Sequence, residues 1–397
     1  MTSAFCQTSL LVVQPTPFCN INCTYCYLPH RTSTKRLSLE TAEPLFQKLL
    51  RFPTVRDSVT VVWHAGEPLV LPPDYYEAMF QLIERVAPPS LKVRHSFQTN
   101  GTLITPAWCD FIKKWNINVG ISIDGPAEFH DNYRKMRNGT GSFERTYKGM
   151  KALQNAGISF HVISVLTLES LLQPEKMFEF YAVNGIDYVC FNIEEQEGAH
   201  SRSRFVNETA GDATYRAFLQ KFLELSFRSG QFVPVREIEH ALRAIGAHGR
   251  QMSNEEAEPF RILSVDCEAN ISTFSPELLG LEHHAYGKFE FGNLLTDDFE
   301  KISRRITGSK LYADVAAGVT QCRAECAYFG LCGGGAAANK IFENGSAAST
   351  ETASCRKLMR SIDVVLDLIE KLPASAVAEE LAKRNRAEPP AAPLHQL

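Results

Sequence analysis

The 397-residue chain has no basic surplus: 41 lysines and arginines face 45 aspartates and glutamates, a formal charge of −4. Nothing in that balance points to a nucleic-acid partner. A long apolar run is also missing. The opening "MTSAFCQTSLLVVQPTP" has no positively charged flank, and "LLVV" is too short for a signal peptide or a membrane span. These absences predict a cytoplasmic protein with neither membrane nor nucleic acid as partner. The cysteine count lacks parity: there are 11, and in a reducing compartment they do not form a disulfide framework. Finally, "FCNINCTYCYLPHR" (18–31) holds Cys19, Cys23 and Cys26 as C-x3-C-x2-C with no fourth cysteine beside them. A structural zinc takes four ligands, and disulfides pair thiols in twos.

What is present is an ordinary globular composition, 44% apolar and 22% charged, with length for one large or two ordinary domains. From about residue 9 to 193 short β-branched runs alternate with helical stretches. The runs are "SLLVVQP", "SVTVVW", "KVRHSFQT", "INVGISID", "ISFHVISVL" and "IDYVCFNI". Six β-α units with nearly continuous apolar strands predict a parallel sheet covered by helices. An open, partial (β/α)6 TIM-like barrel fits six units better than a closed eight-fold one, and a doubly wound sheet is the alternative. Either places the site at the C-terminal ends of the strands. There the three cysteines follow strand 1, "HAGEPL" strand 2, "QTNGT" strand 3 and "DGPAEFHDNYR" strand 4.

The domain reading is a barrel at 1–211, a helical bridge at 212–266, a cysteine-rich region at 267–372 and a flexible tail at 373–397. Cys6, Cys109 and Cys190 stand alone on apolar stretches and read as buried, inert thiols.

Thiolates hold iron–sulfur clusters. Three of them on a four-iron cube leave one iron open to a small molecule. The competing reading is a zinc site completed by a distant ligand such as His30. "CNINCTYC" resembles the signature of radical S-adenosylmethionine (SAM) enzymes, with Tyr25 at the aromatic position. The resemblance implies a [4Fe–4S] cluster whose open iron is chelated by SAM, an external one-electron donor, and a 5′-deoxyadenosyl radical that takes a hydrogen from substrate. "AGEP" resembles the element that takes the SAM amino group, through Gly66 and Glu67, with Ala65 where the family has a glycine. By the same resemblance Ser122 and Arg134 hold the SAM carboxylate and ribose. Asn192 and Ile193 close over the nucleoside.

Cys322, Cys326, Cys332 and Cys355 form C-x3-C-x5-C-x22-C, a complete donor set for a closed cluster or a zinc. The arrangement resembles the SPASM extension of radical SAM peptide maturases, which commonly holds two auxiliary clusters. Cys267 matches one ligand of the first, but Ala336 stands where that cluster needs a cysteine, and none lies between Cys267 and Cys322. One auxiliary [4Fe–4S] cluster is therefore expected.

"VVQPTPFCNINCTYCYLPHR", "FNIEEQEGAHSRS" and "CGGGAAANKIFENGS" resemble maturases of glycine-rich-repeat peptides, relatives of the cyclophane-forming (triceptide) enzymes. That implies a ribosomal precursor peptide as partner and a C–C cross-link between a side-chain β-carbon and an aromatic ring. No catalytic residue is assigned; Glu194, Glu195 and Asp266 are candidates for the base. Cys19 lies too early for a preceding leader-binding module, so leader recognition is expected from the barrel rim, the 200–265 bridge, a separate partner protein, or not at all. The rival readings are a formylglycine-forming anaerobic sulfatase maturase, thioether-forming or epimerising maturases, and a zinc-bearing scaffold.

Overall fold

A computed structural model describes residues 5–205, 209–246 and 253–371. Its frame is a sheet of β1 Leu10–Val13, β2 Ser58–Trp63, β3 Lys92–Thr99, β4 Asn118–Ser122, β5 His161–Leu166, β6 Val189–Ile193, β7 Ile262–Val265, β8 Asn270–Thr273 and β11 Gly292–Asn293. A small separate hairpin pairs β9 Glu282–His283 with β10 Gly287–Lys288. The spatial order is β11-β8-β7-β1-β2-β3-β4-β5-β6. Strands β7 and β1 to β6 run parallel, while β8 and β11 are antiparallel additions. The sheet is mixed and does not close.

The parallel strands alternate with helices because their apolar faces need cover on the outside. The helix Leu39–Leu49 is typical: the Ser38 side chain accepts the Thr41 N–H at its start, and Ala42, Leu45, Phe46 and Leu49 are buried at helical spacing. The inner face is different. There Leu10, Val12, Val62 and Ile262 make a small apolar cluster of their own. The register sets Val12 beside Val62 and Ser264, and Val62 beside Ser96, so polar residues take over along the same face.

The sequence pattern predicts six strands, and the sheet has a seventh parallel one. β7 comes from the segment expected to be a helical bridge. Its four residues are too few to register as a repeat, yet all are buried and pair with Leu10–Val13. The two bridge helices are Thr209–Ser229 and Arg236–Gly246. The boundary expected at 267 falls inside the sheet, since β7 and β8 pair across it. The tail expected at 373–397 lies outside the described residues. Cys109 and Cys190 are buried, but Cys6 is exposed, ahead of β1 rather than on it. Among the described residues no helix is long and apolar enough to cross a membrane.

Candidate active site and second cysteine site

The loop after β1 carries Cys19, Cys23 and Cys26 across the C-terminal ends of the strands. Its backbone is pinned from three sides. Glu67 N–H donates to Phe18 O at 2.9 Å, Asn22 N–H to Lys135 O at 2.6 Å and Thr24 N–H to Tyr133 O at 2.9 Å. Arg137 Nε donates to Cys19 O at 2.7 Å, with its guanidinium over the Phe18 ring at 5.0 Å. Gly66, at φ +145°, lets the β2 end pass under this loop: a Cβ there would stand 2.1 Å from Thr16 O.

One cavity of about 190 Å³ lies above these strand ends, and Cys19, Cys23, Cys26, Tyr25, Gly66, Glu67, Ser122, Arg134, Asn192 and Ile193 all line it. The three loop cysteines and every residue nominated for SAM thus meet at one place. Burial pushes the Cys19 thiol up to about 12 and the Cys23 thiol to about 11. Such thiols give up their protons only to a strong local cation, and a bound metal centre is one. Arg134 Nη1 lies 4.0 Å from Cys23 Sγ, and Arg31 lies near the same thiol. The donor set therefore fits an iron–sulfur cluster. Among the described residues no three His, Cys, Asp or Glu side chains are placed to hold a single metal ion. His30, the candidate zinc ligand, is exposed and does not line the cavity.

The walls are ordered by a buried carboxylate that the sequence reading does not nominate. Asp124, 3% exposed, accepts from Arg134 Nε at 2.9 Å, from the Tyr25 hydroxyl, and from Val165 N–H at 2.9 Å. The Arg134 guanidinium also lies over the Tyr25 ring at 5.3 Å. Behind them His130 Nδ1 accepts the Asp124 N–H at 3.3 Å, and its Nε2 lies 2.9 Å from Ser142 Oγ. The nearest signal for this hub was the spacing of Asp124 and Arg134 across one short helix, Ala127–Tyr133.

Glu67 is occupied by the protein itself. It accepts from Leu69 N–H at 3.0 Å, Thr99 Oγ1 at 2.6 Å and Asn100 N–H at 2.8 Å. Those donors favour the carboxylate, but burial outweighs them and lifts its pKa to about 7. With three of roughly four lone-pair positions used, little of Glu67 is left for a ligand. Ser122 Oγ accepts from Gln98 Nε2 at 3.0 Å, and Gln98 Oε1, buried, has no partner.

Asn192 is set from behind the sheet edge. Arg236 Nη2 donates to Asn192 Oδ1 at 2.5 Å, and the Glu237 carboxylate accepts the Phe191 N–H at 2.9 Å. Lys357 Nζ donates to Phe191 O at 3.3 Å. These side chains satisfy the exposed edge of β6 as a neighbouring strand would.

Glutamates complete the lining. Glu194 and Glu195 line the cavity, joined by Glu197 and Glu277, which the sequence did not single out. Glu194 is engaged by His200 at 3.2 Å and Arg204 at 3.7 Å. Burial lifts Glu277 to about 7. Asp266 does not line the cavity; its carboxylate accepts the Glu268 and Asn270 N–H groups of its own turn.

The second set is built from helix ends. Cys322 and Cys326 stand at the end of the helix Lys310–Glu325, Cys332 ends the short helix Phe329–Cys332, and Cys355 starts the helix Ala353–Lys371. All four line one cavity of about 390 Å³. A hydrogen bond from Cys332 holds the Cys355 thiol below its ordinary value. Burial raises Cys322, against the pull of the nearby Lys340 ammonium. Four converging thiols fit a closed cluster. Cys267 is buried and lines neither cavity, and Ala336 caps the start of the helix Ala337–Asn344.

The model of the radical SAM superfamily matches residues 13–181. An uncharacterized protein of Synechocystis is 42% identical over 372 residues, covering 92% of this chain and 93% of its own. The serine-type anaerobic sulfatase-maturating enzyme of Bacteroides thetaiotaomicron is 24% identical, over 85% of this chain and 84% of its own. Among solved structures, anSMEcpe with bound AdoMet and Cp18Cys peptide superposes with a TM-score of 0.75 at 20% identity, covering 92% of this chain and 98% of that one. Streptococcus suis SuiB bound to precursor peptide SuiA gives 0.61 at 15% identity, covering 88% and 76%. At these identities the structural matches speak for the fold alone.

Proposed function

The chain belongs to the radical SAM superfamily, and from that premise we propose that it modifies a ribosomally made precursor peptide, joining a side-chain β-carbon to an aromatic ring. The superfamily's cofactors are a [4Fe–4S] cluster and SAM. In this reading Cys19, Cys23 and Cys26 hold the first cluster, and Cys322, Cys326, Cys332 and Cys355 hold one auxiliary [4Fe–4S] cluster. When bound, the first cluster and SAM supply a 5′-deoxyadenosyl radical for hydrogen abstraction, and the auxiliary cluster supplies a one-electron acceptor. A separate electron donor is needed to start each turnover, and a separate leader-binding protein is compatible with the reading.

The observation that carries it is the shared cavity, whose lining holds a cation, Arg134, together with several glutamates. Arg134, fixed by Asp124, presents its remaining N–H donors to a carboxylate. Tyr25, Gly66, Ser122, Asn192 and Ile193 shape the rest of the SAM pocket, while Glu67 mainly ties β2 to β3. Forming the cross-link removes one hydrogen atom from the β-carbon, then a proton and an electron from the ring. Glu195, on the cavity wall and not held by Arg204 and His200 as Glu194 is, would take the proton.

A second reading has specific support. The named relatives of moderate identity are sulfatase-maturating enzymes, which makes formylglycine formation on a sulfatase peptide the rival. The deciding experiment is co-expression with the small open reading frame beside the gene, followed by peptide mass spectrometry. A cross-link removes two hydrogens, leaves no aldehyde and suppresses fragmentation between the joined residues. Formylglycine reacts with a hydrazide probe. Deuterium gained from heavy water with no other change would mean epimerisation.

A further inference from the structure

Lysines are almost never fully buried without a partner, yet Lys340 is 2% exposed. It belongs to "CGGGAAANK", where the glycines and cysteine draw attention and the lysine does not. Its Nζ donates to Cys322 Sγ at 3.5 Å. Among the described residues no carboxylate lies within ion-pair distance of it. Two glycines border the side chain. A Cβ on Gly318 would stand 2.4 Å from Ala347 O, 3.0 Å from Ser349 O and 3.1 Å from Nζ, and one on Gly335 would stand 3.5 Å from Cε and 3.2 Å from Cys355 Sγ. Gly318 and Cys322 are one turn apart on the helix Lys310–Glu325, so the same face borders the ammonium and carries the sulfur it meets.

We propose that Lys340 is a redox-tuning residue: its buried ammonium, lodged against Cys322, stabilises the reduced state of the cluster held at the second cysteine site. The inference rests on reading Cys322, Cys326, Cys332 and Cys355 as cluster ligands. Four thiolates make such a cluster anionic, and an added electron makes it more so. A cation a few ångströms from a ligand sulfur, out of reach of water, favours the more negative state. At the first site the guanidinium that reaches a loop sulfur, Arg134, is already paired with Asp124. The charge at position 340 would let the second site accept an electron that an unassisted cluster of the same kind would refuse.

The test is an EPR-monitored redox titration of reconstituted full-length enzyme, wild type against Lys340→Met and Lys340→Gln, with iron counted in each. The signal that stays the same when SAM is added belongs to the second site. The expected result is full iron in the variants, an unmoved midpoint for the SAM-sensitive cluster, and at least a tenfold shift of the second cluster toward its oxidised form. For a one-electron couple tenfold is about 59 mV. Full iron with an unmoved second midpoint overturns the proposal. So does loss of that cluster's iron from both variants, which would make Lys340 a structural tie. A wild-type enzyme with iron for one cluster only removes the premise instead, and the iron count separates that failure from the other two.

Discussion

The two cysteine sites are built by opposite means. The first takes three thiols from one loop and its walls from the ends of several strands: His64 and Glu67 after β2, Asn100 after β3, and Glu194 and Glu195 after β6. The second takes four thiols from the ends of three helices and has one buried lysine for company. In the first, an incomplete donor set is surrounded by polar groups already oriented by the fold, as uptake and release of a small molecule requires. In the second, the donor set is complete, and what the protein adjusts is the charge around it. Chemistry at the first and electron acceptance at the second should therefore be separable.

Removing a thiol tests that separation with the largest effect. Cys23→Ala is expected to abolish formation of 5′-deoxyadenosine, since Cys23 is one of the three loop thiols that line the first cavity. Cys332→Ala is expected to keep SAM cleavage in the presence of dithionite while losing peptide product, because only the second cavity is disturbed. Chromatographic assay of deoxyadenosine beside mass spectrometry of the peptide reads both. Equal loss of deoxyadenosine in the two variants would show that the sites are not separate. Iron near eight per chain would match one auxiliary cluster, and about twelve would restore the second one that Ala336 argues against.

The same contrast appears in the charges. Asp124 and Arg134 form a buried pair, 4% and 9% exposed in their side chains, whereas Glu351 at the rim of the second cavity is 58% exposed against Arg356. Asp124→Asn strands a buried guanidinium and should cost about 3–5 kcal/mol of stability. Glu351→Gln should cost less than about 1 kcal/mol. Urea unfolding of the two variants measures the gap, and a gap under about 1 kcal/mol would mean that Arg134 finds another partner. Asp124→Asn should also weaken SAM binding, because Tyr25 and Arg134 lose their common anchor.

Much of this frame was legible in the sequence. β2 and β3 coincide with the runs "SVTVVW" and "KVRHSFQT", because alternation of β and α elements leaves apolar strands bounded by turn residues. The loop cysteines and their neighbours were found because local spacing carries their chemistry. What escaped depends on partners distant in the chain. β7 is recognisable only beside β1, some 250 residues away. Asp124 reads as a turn residue next to Gly125 until Tyr25, 99 residues earlier, comes to its carboxylate. Glu67 belongs to its motif, yet two of its acceptor positions are taken by Thr99 and Asn100, which no local pattern discloses. Lys340 is a lysine in a small-residue stretch, and only packing shows that it is buried.

The smallest expected effect concerns acid, and it again divides the molecule. Four histidines of the sheet region are held neutral by burial: His64 and His161 are pushed down to about 4, and His95 and His130 to about 3. In the unfolded chain each titrates near its ordinary value of 6.5. The unfolded state therefore binds more protons as the pH falls below that value. The stability contributed by keeping them neutral is complete above about 6.5 and is lost progressively toward their folded values. Each histidine adds up to about 1.4 kcal/mol of loss per pH unit within that window. His95 is the simplest to remove, since it lies flat on Phe80 with ring centroids 3.7 Å apart and receives only a 3.4 Å contact from Trp63 Nε1. The chain's 3 tryptophans, Trp63, Trp108 and Trp115, all lie in this half, so their fluorescence reports the sheet region and not the second cysteine site. Urea midpoints followed by tryptophan emission at pH 7.5 and 5.5 should converge in His95→Phe relative to wild type, by roughly one histidine's share. Acid loss of iron common to both proteins cancels in that difference. An unchanged pH slope in the variant would mean that His95 already takes up its proton in the folded protein.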